Sequence, residues 1–241
     1  MNTASEKPTS ESNKNLTAGI VSRGLQILIM FIIIGAILFL AVGKIAWFWG
    51  WFFLGIQLVG VAINSVFMLH TNPETVAERG QPKDMKNWDK IIGGLWSVFQ
   101  FMLLPAVSGL DVRFGWSGEP GLAWHVIGVL VFIAGSGLFS WAMIANTYFS
   151  TVVRIQTDRG QMVCKDGPYR FVRHPGYVGA ILQSFGAPLL LGSWWALIVG
   201  VIAAAMMVIR TALEDRTLQD ELPGYQEFTQ EVRYRLLPGV W

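Results

Sequence analysis

The sequence predicts an all-α fold, a polytopic integral membrane helical bundle of about six membrane segments. The last two form a short helical hairpin, and amphipathic C-terminal helices follow. Three observations predict it. Of 241 residues, 53% are hydrophobic and 14% charged, little more than half the charge of an average soluble domain. The apolar residues lie in long runs; residues 25–42 alone supply eighteen without a charge, against the roughly 20 that a hydrocarbon core requires. The basic residues are segregated by loop, as in multi-pass proteins.

Taken in order, residues 1–22 read as a disordered N-terminal tail, because the start is polar and rich in Ser, Thr, Asn, Glu and Lys. A cleaved signal peptide does not fit, since the first apolar run is too long and lacks a small-residue cleavage site. Residues 23–149 then hold four membrane helices, with apolar runs at 25–42, 48–69, 91–110 and 122–149. The loop 70–90 carries an Asn72-Pro73 pair able to cap a short helix through Ala77 and Arg79. Runs at 177–191 and 194–209 flank Gly192-Ser193, and one continuous helix there would reach about 50 Å. A tight hairpin fits better. Leu218, Leu222, Tyr225, Phe228, Val232 and Leu236 recur every three or four residues, an amphipathic stripe broken at Pro223-Gly224.

Orientation follows from charge. Sixteen of the eighteen Lys and Arg residues fall in the tail, the second and fourth loops and the C-terminal segment, leaving Lys44 and Arg113 opposite. Both termini and the site are therefore expected to be cytosolic, on an inner or plasma membrane if the chain is bacterial. The net charge of +2 carries no basic tract or nucleic-acid motif, and a lone cysteine, Cys164, excludes a Cys-based metal cluster and an intrachain disulfide. No GxxxxGK[ST], HExxH or GxSxG is present, so neither nucleotide hydrolysis, a zinc site nor a serine triad is supported. No metal is expected.

The polar residues that remain cluster in "GPYRFVRHPGYVG", residues 167–179. His174 precedes a proline and is expected to be extended, with Pro175 opening the next helix. Its imidazole would sit beside free N–H groups that attract anions, and Arg170 and Arg173 add positive charge there, although arginines at this place also serve as topological anchors. Tyr169 and Tyr177 are rings suited to an interface, on a face kept narrow by Gly176 and Gly179. Arg210 and Glu214 stand one turn apart at the end of the sixth run, with Asp215 beside them. As a plain pair in that order they would add only about 0.2–0.5 kcal/mol, so a site role suits them better. His125 reads as packing, and Cys164 has no setting that would make it a nucleophile.

These residues resemble the isoprenylcysteine carboxyl methyltransferase family, within the wider group that includes phospholipid methyltransferases. "GPYRFVRHPGYVG", "PLLLGSWWAL" and "RTALEDRTLQDELPGYQEF" carry the likeness over residues 154–241, with RHPxYxG at 173–179 its most specific element. "NPETVAERG" followed by "WDK" is similar to bacterial members. The resemblance implies methyl transfer from S-adenosyl-L-methionine to a lipidic or prenylated acceptor at the membrane surface, without a Rossmann-like domain. It makes residues 150–241 the cofactor-binding core and implies that Tyr169, His174, Pro175, Gly176 and Tyr177 line the cofactor pocket. By the same likeness Arg154, Gln161, Met162, Val163 and Cys164 add cofactor contacts. Glu214 matches a cofactor-binding acid and Arg210 a substrate-contacting arginine, the two forming the catalytic pair. Two departures affect the acceptor: Gln161 stands where eukaryotic members carry histidine, and Glu214-Asp215 replaces Glu-Glu. Carboxylate O-methylation is the leading expectation. Phospholipid N-methylation, an NADPH-dependent sterol-type reduction and a non-catalytic lipid-binding role are the alternatives.

Overall fold

The computed structural model describes residues 10–81 and 83–241, and all of its long elements are helices. The central pair is the hairpin of α7 (Pro175–Leu191) and α8 (Trp194–Glu221). It turns where the sequence suggested. Gly192 takes a left-handed conformation at φ 77°, which a Cβ would disfavour, and Ser193 then caps α8 by accepting from the Ala196 N–H at 3.0 Å. At about 1.5 Å per residue the 17 residues of α7 reach about 25 Å and the 28 of α8 about 42 Å. Arg210, Glu214 and Asp215 therefore lie inside a long helix instead of at its end.

Six helices precede the hairpin. α1 is Ser10–Val42, α2 is Phe48–Thr71, α3 is the short Pro73–Gly80, and α4 (Asn87–Val98) continues through a π-helical turn into α5 (Leu104–Phe114). Pro105 explains the turn, because it cannot donate to the Phe101 carbonyl and the ladder widens just before it. α6 (Leu122–Ala145) packs most intimately on α7, and glycines make this possible. A Cβ on Gly128 would fall 2.1 Å from the Leu190 nitrogen, and one on Gly179 would fall 2.6 Å from the Gly135 oxygen. Small residues substitute here for the hydrophobic driving force that lipid does not supply between helices. Leu38, Leu104, Phe132, Leu190 and Leu191 fill the core around this contact.

Five helices, Lys14–Val42 within α1, Phe48–Thr71, Asn87–Phe114, Leu122–Ala145 and Trp194–Glu221, are long and apolar enough to cross a bilayer. The chain is a multi-pass membrane protein; α7, of 17 residues, is not among these five helices. One expectation is corrected. The tail was expected to be disordered over residues 1–22, yet helix α1 begins at Ser10; residues 1–9 lie outside the described ones. Its start is ordered by α3, which lies against it: Ser22 Oγ and Gln26 Nε2 both donate to the Gly80 carbonyl, at 2.9 and 2.8 Å. Asn72 caps α3 by accepting from the Thr75 N–H, as the Asn-Pro pair predicts.

The second loop, the fourth loop and the C-terminal segment gather at one end of the bundle. Glu78 pairs with Arg154, Lys86 with Glu221 and Lys165 with Glu231. The amphipathic stripe becomes the end of α8, the break at left-handed Gly224 and a last helix, α9 (Tyr225–Glu231). Leu222, Tyr225 and Phe228 bury against Ala142 and Tyr169. The polar segments thus form a cap over the ends of α6, α7 and α8.

Candidate functional site

The site is built on the first turn of α7. His174 sits outside the helix at φ −126° and ψ 60°, and Pro175 is the first helical residue. Two backbone hydrogen bonds hold this corner, from Arg173 N to the Tyr234 oxygen (2.9 Å) and from His174 N to the Arg235 oxygen (3.0 Å). The imidazole is buried, its Nε2 3.2 Å from Asp215 Oδ1 and 3.3 Å from the Tyr225 hydroxyl. Its ring lies parallel to that of Tyr177, with centroids 5.7 Å apart.

Asp215 organises the surroundings. Its side chain is fully buried and accepts from Arg173 Nε and Nη2 at 2.8 and 2.9 Å, from Arg235 Nε at 2.7 Å and from Gln219 Nε2 at 2.8 Å. The Tyr225 hydroxyl donates to it as well, at 3.1 Å. The remaining Arg173 nitrogen, Nη1, donates to the carbonyls of Val232 and Arg233. In the sequence, Arg170 and Arg173 read either as positive charge for an anion at this helix start or as topological anchors. Arg173 is consumed by Asp215 and by the segment it clasps, while Arg170 is exposed beside Asp166. Asp215 itself was read only as an extension of the 210–214 pair.

Next to this hub a cleft opens between the loop 146–164, the start of α7, the end of α8 and α9. It is narrow, with a cavity volume of about 100 Å³. Of the residues singled out from the sequence, Arg154, Gln161, Met162, Val163, Cys164 and Tyr169 line it from the loop side. His174, Gly176 and Tyr177 line it from α7, and Glu214 from α8. Pro175 shapes the corner without forming the wall. Arg210 is outside the cleft. It lies behind Tyr177, its guanidinium 5.4 Å from the ring centroid, and grips Asp89 of α4 at 2.7 and 3.0 Å. Arg210 and Glu214 are thus not an ion pair, and the Glu214 carboxylate instead accepts from the Tyr177 hydroxyl. A second cleft lies on the far side of Arg210, bounded by Asp89, Gly93, Gly94, Trp96 and Thr151. The Trp96 indole N–H on its wall is buried without an acceptor.

Several wall residues were not legible as site residues. Tyr148, Phe149, Tyr225 and Phe228 supply aromatic surface, yet in the sequence the first two read as the end of the fourth apolar run and the last two as an amphipathic stripe. Asp89 was visible only as the middle of "WDK". Burial sets the proton chemistry of the walls. It pushes the Tyr169 phenol well above its ordinary value, and burial followed by the nearby Asp215 charge does the same to Tyr225. Burial also raises the Cys164 thiol, which donates to the Ala145 carbonyl, so a thiolate is disfavoured. Arg154 stays charged despite burial because Asp158 and Glu78 both bind it.

The donor set suits a small cationic ligand with an anionic end. Glu214 and the aromatic faces favour a positive centre. The Gly176 N–H at the helix start favours an anion, and a Cβ there would fall 2.7 Å from the Phe149 ring. No group of three or more His, Cys, Asp or Glu residues able to hold a metal occurs among the described residues.

Residues 123–222 match the family described as phospholipid methyltransferase, a span that begins at α6 and ends at Leu222 on the cleft wall. A protein-S-isoprenylcysteine O-methyltransferase from Schizosaccharomyces pombe is 38% identical over 61 residues, 25% of this chain and 26% of that protein. The chain thus aligns with about a quarter of the length of that relative.

Proposed function

We propose that this chain, whose residues 123–222 match the family described as phospholipid methyltransferase, methylates a lipidic or amphipathic acceptor at the membrane interface, using S-adenosylmethionine. The observation that carries the reading is the cleft itself. It combines an acid, aromatic faces and a helix start, and it lies where the polar cap meets the ends of the membrane helices. When bound, S-adenosylmethionine supplies an electrophilic methyl group on a positively charged sulfur.

The chain's own residues then have distinct tasks. Gly176 lets the ligand approach the first turn of α7, where its backbone N–H accommodates a carboxylate. Glu214, oriented by the Tyr177 hydroxyl, faces the positive centre. Tyr169, Phe149, Tyr225 and Phe228 exclude water from the cleft, and exclusion together with alignment supplies most of the catalysis. Arg210, held by Asp89 between the two clefts, is positioned to meet the anionic group of an acceptor that arrives from the α4–α8 side. A carboxylate acceptor is already ionised near neutral pH and needs no base. The S. pombe relative favours this O-methyl outcome. The family description favours an amine of a phospholipid, which would have to surrender a proton, with Glu214 the acid in the cleft able to take it. In either case residues 150–241 form the cofactor-binding core and 23–149 shape the acceptor's approach, with the cap facing the cytosol.

Titration calorimetry of the purified chain tests the reading. S-adenosylmethionine and S-adenosylhomocysteine are expected to bind, and His174→Ala and Glu214→Gln each to weaken binding by about tenfold or more, equivalent to about 1.4 kcal/mol. Absence of binding by the wild type would remove the cofactor; unchanged affinity in both variants would remove these residues from its site.

A further inference from the structure

We propose, resting on the methyltransferase reading, that the second cleft, between α4 and α8, holds the head of the methyl acceptor, an anionic group beside a carbonyl oxygen, and that the Trp96 indole N–H binds that carbonyl. The cleft has a cavity volume of about 300 Å³. Three donors on its wall are left over. The Trp96 N–H is buried without an acceptor. Arg210 spends Nε and Nη2 on Asp89 and on the Thr151 carbonyl, and its Nη1 has no partner among the described residues. Lys90, exposed at the rim, meets the Asn87 side-chain oxygen at 3.1 Å and no described acid. Asp89, the acid on this wall, is committed to Arg210 and to the Val153 N–H. What the cleft lacks is oxygen.

Two glycines on the same wall point independently to an occupant. Gly93 and Gly94 sit in the interior of α4, where each is less favourable than alanine. Gly93 serves packing, because a Cβ there would lie 3.1 Å from Asp89 Oδ1 and 3.7 Å from Arg210 Cζ. Gly94 serves none, since its Cβ would meet nothing within 4 Å. Its missing side chain leaves the cleft open.

Depth identifies the kind of head. Lys90 is the last charge before the uncharged run at 91–110, so the cleft stands at the level of a headgroup layer. An anionic group suits Lys90 and Arg210. Trp96 lies six residues further along, about 9 Å of helix, so its partner is a second oxygen, deeper than the anionic group. A neutral carbonyl suits that depth, where a further charge would be costly. A lipidated amino acid offers this combination as carboxylate and amide, and a glycerophospholipid as phosphate and ester. The head also lies close to the first cleft: Val152 lines both, and the Arg210 guanidinium lies against the Tyr177 ring that walls the first.

Affinities measured on the full chain with S-adenosylhomocysteine present test this. The probes are N-acetyl-S-farnesylcysteine and phosphatidylethanolamine, each beside a counterpart without the carbonyl, S-farnesyl-3-mercaptopropionate and the dialkyl-ether lipid. The wild type is expected to bind one carbonyl-bearing probe about fivefold better than its counterpart, and which one it binds assigns the source of the head. Trp96→Phe keeps a ring beside Phe101 and lacks the N–H; it is expected to lose that fivefold preference and to bind the counterpart as the wild type does. Gly94→Phe fills the cleft and is expected to weaken either form tenfold or more while unfolding no earlier than the wild type. S-adenosylhomocysteine affinity is expected to be unchanged in both variants. A preference that survives Trp96→Phe, or an equal loss for probe and counterpart, would overturn the role of the N–H. Unchanged acceptor affinity in Gly94→Phe, or binding of neither probe by the wild type, would overturn the cleft. Failure of the wild type to bind S-adenosylhomocysteine is a separate result, which would remove the methyltransferase reading and this inference with it.

Discussion

Two buried aspartates stand at opposite ends of the hairpin, and they are neutralised in different ways. Asp215, in the cap, is held by two arginines, a histidine, a glutamine and a tyrosine drawn from four segments. Asp111, at the other end, meets only neutral donors: the Ser117 N–H at 2.7 Å and the hydroxyls of Ser117 and Ser193, each at 2.5 Å. Those hydroxyls in turn accept from the Trp194 and Ala196 N–H groups that open α8. Asp111 thus lies at a helix N-terminus, where the dipole favours an anion, and it needs no cation. Asp215 has no such helix end to lean on and is balanced by charges from distant parts of the chain. Both hubs join distant parts of the chain; the contrast separates one that ties the end of α5 to the hairpin turn with neutral donors from one that gathers the cap with charged ones.

Breaking each hub tests the contrast, and the largest effect is expected at Asp215. Asp215→Asn leaves the buried Arg173 and the partly exposed Arg235 without this acid, and loss of one partner of a buried pair such as Arg173–Asp215 costs about 3–5 kcal/mol. Thermal unfolding should show that loss together with loss of S-adenosylmethionine binding, since the His174 corner is released. Asp111→Asn keeps one carbonyl acceptor and is expected to cost about 1–3 kcal/mol. Calorimetry should find its cofactor affinity unchanged; a parallel loss of affinity would show that the two ends are coupled through the hairpin. Tyr225→Phe removes one neutral hydrogen bond from Asp215 and keeps the ring on the cleft wall. Because the acceptor is an ionised carboxylate with several other donors, it is expected to lower stability by about 1.5 kcal/mol, visible as a small shift in unfolding temperature.

Much of this could be read from residue order. Long apolar runs, the Gly192-Ser193 turn and the Asn72-Pro73 cap are local signals, and each corresponds to an element in the fold. The RHPxYxG stretch is likewise local, because a proline restricts its neighbour and opens a helix whatever lies around it. What escaped was of two kinds. The start of α1 is polar and reads as tail, yet it is helical because α3 offers it a docking surface. The 210–214 spacing suggests a pair, but Arg210 finds Asp89, 121 positions away.

By itself, then, the sequence determined an all-helical membrane bundle, its hairpin and the stretch on which a site is built, since hydrophobic length and backbone restriction act over a few residues. Only the tertiary structure decided which charges neutralise one another, leaving Arg173 consumed by Asp215 and Glu214 on Tyr177. Ion pairing depends on distance in space and on burial, and neither is encoded in the spacing of residues along the chain.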